Sequence, residues 1–300
     1  MNGRDSELAK ERAKARLRRG MYLLPSLFTC GNIAAGFFSI TETIKAISDA
    51  GEAHTHLDLA ALAIIFAIPF DTLDGRIARM TNTASEFGKE LDSLADAITF
   101  GVAPALLAMI WGFNFLPRSV NPQLLENLHH AGGFISFLFL IGGVSRLARF
   151  NISHDAQPRN PGRPGRKYFV GMPIPAAAGL VASTVHFFNA YPIEAWWVAI
   201  GWLCLVGLCG FLMVSTWRFW SGKEINFSKA HPFQLLFLLA IVAYVMIRFS
   251  GTVFFGIGLT YMFSGIWARA AYSWSRRRRR GGGEVVVADA HSAEASSAKL

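Results

Sequence analysis

Residues 57–107 read LDLAALAIIFAIPFDTLDGRIARMTNTASEFGKELDSLADAITFGVAPALL. Between two apolar segments, the stretch from Phe70 to Gly101 holds four aspartates, two glutamates and three basic residues. A helix crossing about 30 Å of hydrocarbon, at about 1.5 Å per residue, needs roughly 20 apolar positions. The stretch therefore reads as two antiparallel membrane helices joined by a short polar turn, TNTA. A charged side chain within such a span costs about 2.5–3.5 kcal/mol, so these carboxylates face a cavity or a bound ion and not lipid.

The rest of the chain has the same character. Its 300 residues are 52% hydrophobic and 16% charged, against roughly 25% charged in an ordinary soluble domain. Eight spans fit the apolar runs, near 22–47, 57–80, 92–115, 131–150, 170–190, 195–217, 232–249 and 251–273, the last two being close enough to form one re-entrant pair. The fold expected is an all-α, polytopic membrane helix bundle. No stretch reads as a cleavable signal peptide, because a long span follows the basic N-terminal residues without a small-residue cleavage site.

Lys and Arg set the expected orientation. With the N-terminus in the cytoplasm, all of the 29 basic residues except Lys45, Arg118 and Arg248 fall on the cytoplasmic side, as the positive-inside rule requires. Both termini are then cytoplasmic, in the inner membrane of a cell. The net charge of +9 is explained by orientation and by attraction to anionic lipid headgroups, and no nucleic-acid partner is called for. The organisation expected is a basic arm over 1–20, a membrane domain over 21–274 and a basic, disordered tail over 275–300. Cys30, Cys204 and Cys209 all lie within spans and read as small packing residues. None of the histidines has ligand spacing.

The chemistry lies in the charged stretch. At about 100° per residue, Asp71, Asp74, Gly75, Ala78 and Arg79 share one stripe of the first helix. Ser85, Gly88, Asp92 and Asp96, three and four apart, share one stripe of the second. Four carboxylates converging in a poorly hydrated place cannot all stay ionised without cations. Hard oxygen donors with no His or Cys among them suit Mg²⁺ or Mn²⁺, one or two ions. Arg79 offers a forked donor and Gly75 a close approach, which together suit a phosphate-bearing ligand. A network made only for helix packing would not need an excess of acid over base on a glycine-lined stripe.

Asp71, Asp74, Gly75, Ala78, Arg79, Gly88, Asp92 and Asp96 match DxxDGxxARx8GxxxDxxxD at every fixed position, and so the segment resembles the signature of the CDP-alcohol phosphatidyltransferase family. Further segments, LPSLFTCGNIAAGFFSI at 24–40, LDSLADAITFGVAPALL at 91–107, GGVSRLARFN at 142–151, YFVGMPIPAAAG at 168–179 and FLMVSTWRFWS at 211–221, are similar to members of that family that use L-serine as acceptor. The resemblance implies a binuclear Mg²⁺ or Mn²⁺ site, with one ion on Asp71, Asp74 and Asp92 and the other on Asp71, Asp92 and Asp96. It implies transfer of the phosphatidyl group from CDP-diacylglycerol to the serine hydroxyl, CMP leaving and Asp96 taking the proton. Gly75, Arg79 and Ser85 would grip the nucleotide diphosphate.

Other positions are open between roles. Thr29 and Asn32 in the first span either approach the nucleotide or hydrogen-bond between helices. Arg146 and Arg149 hold a phosphate or the serine carboxylate, or only anchor the span. The prolines of GMPIPAAAG permit a kink and tight packing. Glycerol 3-phosphate or inositol remains an alternative acceptor, and an ion or metal transporter a remote alternative class. A homodimer is compatible with the sequence.

Overall fold

The computed structural model describes residues 27–80, 86–117, 119–152, 168–220 and 248–297, with side chains described except for 74–80 and 275–297. Helix α1 covers 27–48. It is followed by α2 (Ala53–Met80), α3 (Glu86–Asp96), a π-helical turn (Ala97–Val102), α4 (Ala103–Met109) and a second π turn (Ile110–Asn114). Then come α5 (Pro122–Ile152), β1 (Tyr168–Val170), α6 (Ile174–Phe187), α7 (Trp196–Val214), β2 (Arg218–Trp220) and α8 (Ser250–Ser297).

Among the described residues, five helical stretches are long and apolar enough to cross a membrane: Ala53–Leu73, Glu86–Asn114, Pro122–Ile152, Trp196–Val214 and Ser250–Trp274. Phe37, Phe134 and Trp267 are 67%, 60% and 78% exposed. So much outward-facing aromatic surface has no place in water and suits lipid. The chain is a multi-pass membrane protein.

Three features differ from the sequence expectation. The span placed at 170–190 contains a helix of only 14 residues, Ile174–Phe187. Its beginning is spent on β1, which pairs antiparallel with β2 in the register Tyr168↔Trp220, and on a turn at Gly171. There φ is +77°, and a Cβ would lie 2.6 Å from the Met213 carbonyl oxygen. Only glycine serves at such a place. The aromatic YFV and RFW segments explain the small sheet, since such residues favour extended backbone where two loops run side by side. Lastly, α8 continues past Trp274 to Ser297, through residues whose composition reads as an unstructured tail. Four alanines, good helix formers, fall in its last part, at 288, 290, 293 and 295. The arm over 1–20, the turn at 81–84 and most of the span expected at 232–249 lie outside the described residues.

Packing centres on α6, which lies against both α2 and α8, while α5 packs along α7. Pro173 caps α6 and Pro175 falls in its first turn, where a missing N–H costs nothing. The helix then buries Ala177, Ala178, Leu180, Val181 and Ala182.

One end of the bundle is closed by paired side chains. Glu42 of α1 takes Lys45 at 2.8 Å and His56 of α2 at 2.6 Å. His186 of α6 stands between Asp58 of α2, 2.5 Å from Nδ1, and Ser250 of α8, 2.8 Å from Nε2. Nearby, Trp111 Nε1 donates to the Tyr191 carbonyl at 2.9 Å and Trp202 Nε1 to that of Ala108 at 2.9 Å. The acidic stretch lies at the other end, about 20 Å along α2 from Asp58 at the usual helical rise.

Candidate active site

Asp71 sits on α2 two residues after Pro69, which lies inside the helix and leaves a carbonyl one turn earlier without its usual helical donor. Asp92 and Asp96 lie one turn apart on α3 and so project on one side. The two helices bring these side chains together. One carboxylate oxygen from each of Asp71, Asp92 and Asp96 lies within 4.8 Å of the others, and all three residues are half-buried. The backbone of Asp74, Gly75 and Arg79 is helical, but their side chains, and all of Ser85, lie outside the described residues.

Helix α1 closes the site from the side. Asn32 is 1% exposed, and its Nδ2 donates to Asp96 Oδ1 at 3.3 Å. Its backbone carbonyl accepts from Thr99 Oγ1 at 2.8 Å. Thr99 belongs to the π turn that begins immediately after Asp96, a kind of distortion that concentrates at functional sites. One turn beyond Asn32, Gly36 lets α1 touch this turn: a Cβ there would stand 2.5 Å from Thr99 Oγ1 and 2.8 Å from Thr99 Cα. Of the two residues singled out on α1, Asn32 touches Asp96 directly, while Thr29 is buried one turn before Asn32.

The two arginines of α5 have different surroundings. Arg149 donates from Nη1 to the Val214 carbonyl at 3.0 Å, and from Nη2 to those of Val170, Met213 and Ser215 at 3.0, 3.3 and 3.4 Å. It thereby satisfies the carbonyls at the C-terminus of α7, which a helix leaves unpaired, and ties them to β1. Arg146 is 7% exposed. Its guanidinium carbon lies 6.0 Å from the Phe169 ring centre, near enough to Asp96, Arg149 and Tyr261 to interact with them electrostatically. Its Nε is buried with no hydrogen-bond partner among the described residues.

Thr99, Phe169 and Tyr261 complete this end of the bundle without being singled out in the sequence. Thr99 was within reach of the helical pattern, three residues past Asp96. Phe169 and Tyr261 come from distant segments, Phe169 within the YFVGMPIPAAAG run and Tyr261 with no local signal, its hydroxyl donating to the Trp220 carbonyl at 3.0 Å.

The membrane bundle brings together three carboxylates close enough to hold a metal ion and buries a guanidinium whose Nε has no hydrogen-bond partner among the described residues. The model of the family described as CDP-alcohol phosphatidyltransferase matches residues 22–207, and the chain belongs to that family. It is 36% identical over 243 residues to the CDP-diacylglycerol--serine O-phosphatidyltransferase of Helicobacter pylori (strain ATCC 700392 / 26695), covering 80% of this chain and 90% of that one. A protein of the same name from Mycobacterium tuberculosis (strain ATCC 25618 / H37Rv) is 34% identical over 241 residues, covering 77% and 73%. Another, from Methanocaldococcus jannaschii, is 36% identical over 180 residues, covering 60% and 71%.

Proposed function

We propose that the chain transfers the phosphatidyl group of CDP-diacylglycerol to the hydroxyl of L-serine, giving phosphatidylserine and CMP. The observation that carries this is the convergence of Asp71, Asp92 and Asp96 from two helices in a chain whose relatives bear the name of that reaction. Under this reading, Asp71, Asp74, Asp92 and Asp96 hold two divalent cations, Mg²⁺ or Mn²⁺. The donor set fits them, since every ligand is a hard carboxylate oxygen and none is His or Cys. Bound there, such ions neutralise negative charge on the diphosphate and on the pentacovalent centre.

The chain's own groups do the rest. Gly75, Arg79 and Ser85 grip the nucleotide diphosphate, and Thr29 and Asn32 close over it from α1. The serine oxygen bonds to the phosphorus that carries diacylglycerol, while the bond from that phosphorus to the CMP phosphate oxygen breaks. Asp96 accepts the hydroxyl proton, and Asn32 holds the Asp96 carboxylate in place for it. A carboxylate is a weak base for an alcohol, so this proton moves late in the step. Eight spans, both termini in the cytoplasm and the acidic end at the inner face of the cell membrane complete the proposal, supported by the distribution of Lys and Arg.

Purified protein mixed with CDP-diacylglycerol, Mg²⁺ or Mn²⁺ and labelled L-serine, glycerol 3-phosphate or inositol tests the reading. Phosphatidylserine and CMP should appear with serine alone. A lipid product from another acceptor instead would replace serine, and no CMP with any of them would end the assignment as a transferase of this kind.

A further inference from the structure

A threonine inside a helix commonly donates its hydroxyl to the carbonyl four residues back on its own helix. Thr41, Thr43, Thr72, Thr184 and Thr260 all do so, at distances between 2.7 and 3.0 Å. Thr99 does not. Its Oγ1 reaches across to α1 and donates to the Asn32 carbonyl at 2.8 Å, from a fully buried position. The backbone is prepared for this reach on both sides. Pro104 has no N–H to give the Phe100 carbonyl, and its ring crowds that oxygen, so an ordinary α-turn is disfavoured there. The chain widens instead into the π turn Ala97–Val102, closed by the Ala103 N–H on the Ile98 carbonyl five residues back. On α1, Gly36 leaves room for the contact, since a Cβ would stand 2.5 Å from Thr99 Oγ1 and 2.8 Å from Thr99 Cα.

The residue that Thr99 grips by its backbone is the one whose side chain holds Asp96, with Asn32 Nδ2 donating to Asp96 Oδ1 at 3.3 Å. An N–H···O bond usually spans about 2.7–3.2 Å and is gone by about 3.6 Å, so moving α1 off the π turn by about 0.3 Å releases the Asp96 carboxylate. We propose that Thr99 is a positioning residue for Asp96: its hydroxyl sets the separation between α1 and the end of α3, and that separation keeps Asn32 on the carboxylate. This rests on the reading in which Asp96 accepts the proton of the serine hydroxyl, and it names what holds Asp96 ready for that step. Thr99 itself touches no substrate. Packing alone is met at this place by an apolar side chain, as it is one residue on by Phe100, which is fully buried. A hydroxyl that leaves its own helix for the carbonyl of Asn32 has a second task.

The test compares Thr99→Ala with Thr99→Ser, which differ by the hydroxyl alone, in full-length protein with CDP-diacylglycerol, L-serine and saturating Mg²⁺. Thr99→Ala should lower kcat for phosphatidylserine formation by about 10- to 100-fold, the scale on which a partner behind a reacting group acts. KM for both substrates should not move, because the interaction matters in the transition state. Thr99→Ser should recover most of kcat. Thr99→Val keeps the volume without the hydroxyl and is read in place of Thr99→Ala should that variant fail to fold. Thr184→Ala is the matched control, removing another buried hydroxyl that bonds only to its own helix; it should lower thermal stability and leave kcat unchanged. In an Asn32→Ala background, Thr99→Ala should cost no further rate, since the link to Asp96 is already cut. A loss of kcat that Thr99→Ser does not recover, or one that adds in full to that of Asn32→Ala, overturns the proposal. So does a fall in stability with kcat unchanged, which would make Thr99 a packing residue like Thr184, and so does a rise in KM for CDP-diacylglycerol with kcat unchanged. If the unsubstituted protein makes no phosphatidylserine, the proposed function falls first and this inference with it, a result distinct from any variant behaving wrongly.

Discussion

The two ends of the bundle treat charge in opposite ways. At one end, Glu42 is bracketed by Lys45 and His56, and His186 has a partner on each ring nitrogen. At the other, three carboxylates crowd within 4.8 Å, while the Asn32 oxygen and the Arg146 Nε lack hydrogen bonds among the described residues. Both ends draw on α1 and α2 and are otherwise helical, so the difference does not come from element type. It comes from bookkeeping of donors and acceptors. An end whose polar groups close on each other holds helices together, and an end whose groups do not close is completed by what it binds.

The largest effect that would sharpen this contrast is expected at the open end. Asp71→Asn removes a charge while keeping the shape, so it should reduce CMP release by about a hundredfold to a thousandfold, the scale of losing one electrostatic group at a reaction centre. Thermal stability without substrate should hold or rise, because one of three mutually repelling carboxylates is gone. Near-normal turnover would show that Asp71 belongs to packing, and the two ends would no longer differ in kind.

His186→Ala is the matching change at the closed end, with a middle-sized effect of another type. It leaves Asp58 and Ser250 without the ring that joins them and should lower stability by about 1–3 kcal/mol, read as thermal unfolding in lipid or detergent. The rate of CMP release per folded molecule should be unaltered, since His186 lies far from Asp96. A fall in rate with no fall in stability would mean that the closed end takes part in turnover.

How much of this could be read beforehand follows the range of each interaction. Asp71, Asp92 and Asp96 were legible because helical spacing on two adjacent helices decides which side they share. Arg146 and Arg149 were not separable. Both lie on the same side of α5, and which one is taken by backbone depends on where the Val214 carbonyl ends α7, more than sixty residues later. The link from Asp58 through His186 to Ser250 spans 128 and 64 residues, and no local pattern announces it. The shortness of α6 was hidden for a related reason. Its apolar run is long enough for a span, but Gly171 and the pairing of β1 with β2 use the first part of it. Periodicity carried the site, and long-range pairing carried what the periodicity could not reach.

The smallest effect separates two partners of one carboxylate at the closed end. Lys45 and His56 both reach Glu42, but the Lys45 side chain is 54% exposed and that of His56 23%, against 5% for Glu42. An exposed ammonium is already well solvated, gains little from the pair and pays rotamer entropy to form it. Lys45 is also on the same helix as Glu42, three residues on, so losing it unties nothing between elements. Lys45→Ala should therefore cost no more than about 1 kcal/mol, and less in high salt. His56 joins α1 to α2 from a less hydrated place, and its removal leaves Glu42 only the exposed partner, so His56→Ala should cost more and depend less on salt. Unfolding of both variants at low and high salt tests the order. If Lys45→Ala proves the costlier, the closed end is held by charge at its surface, and buried pairing ceases to be what distinguishes it from the open end.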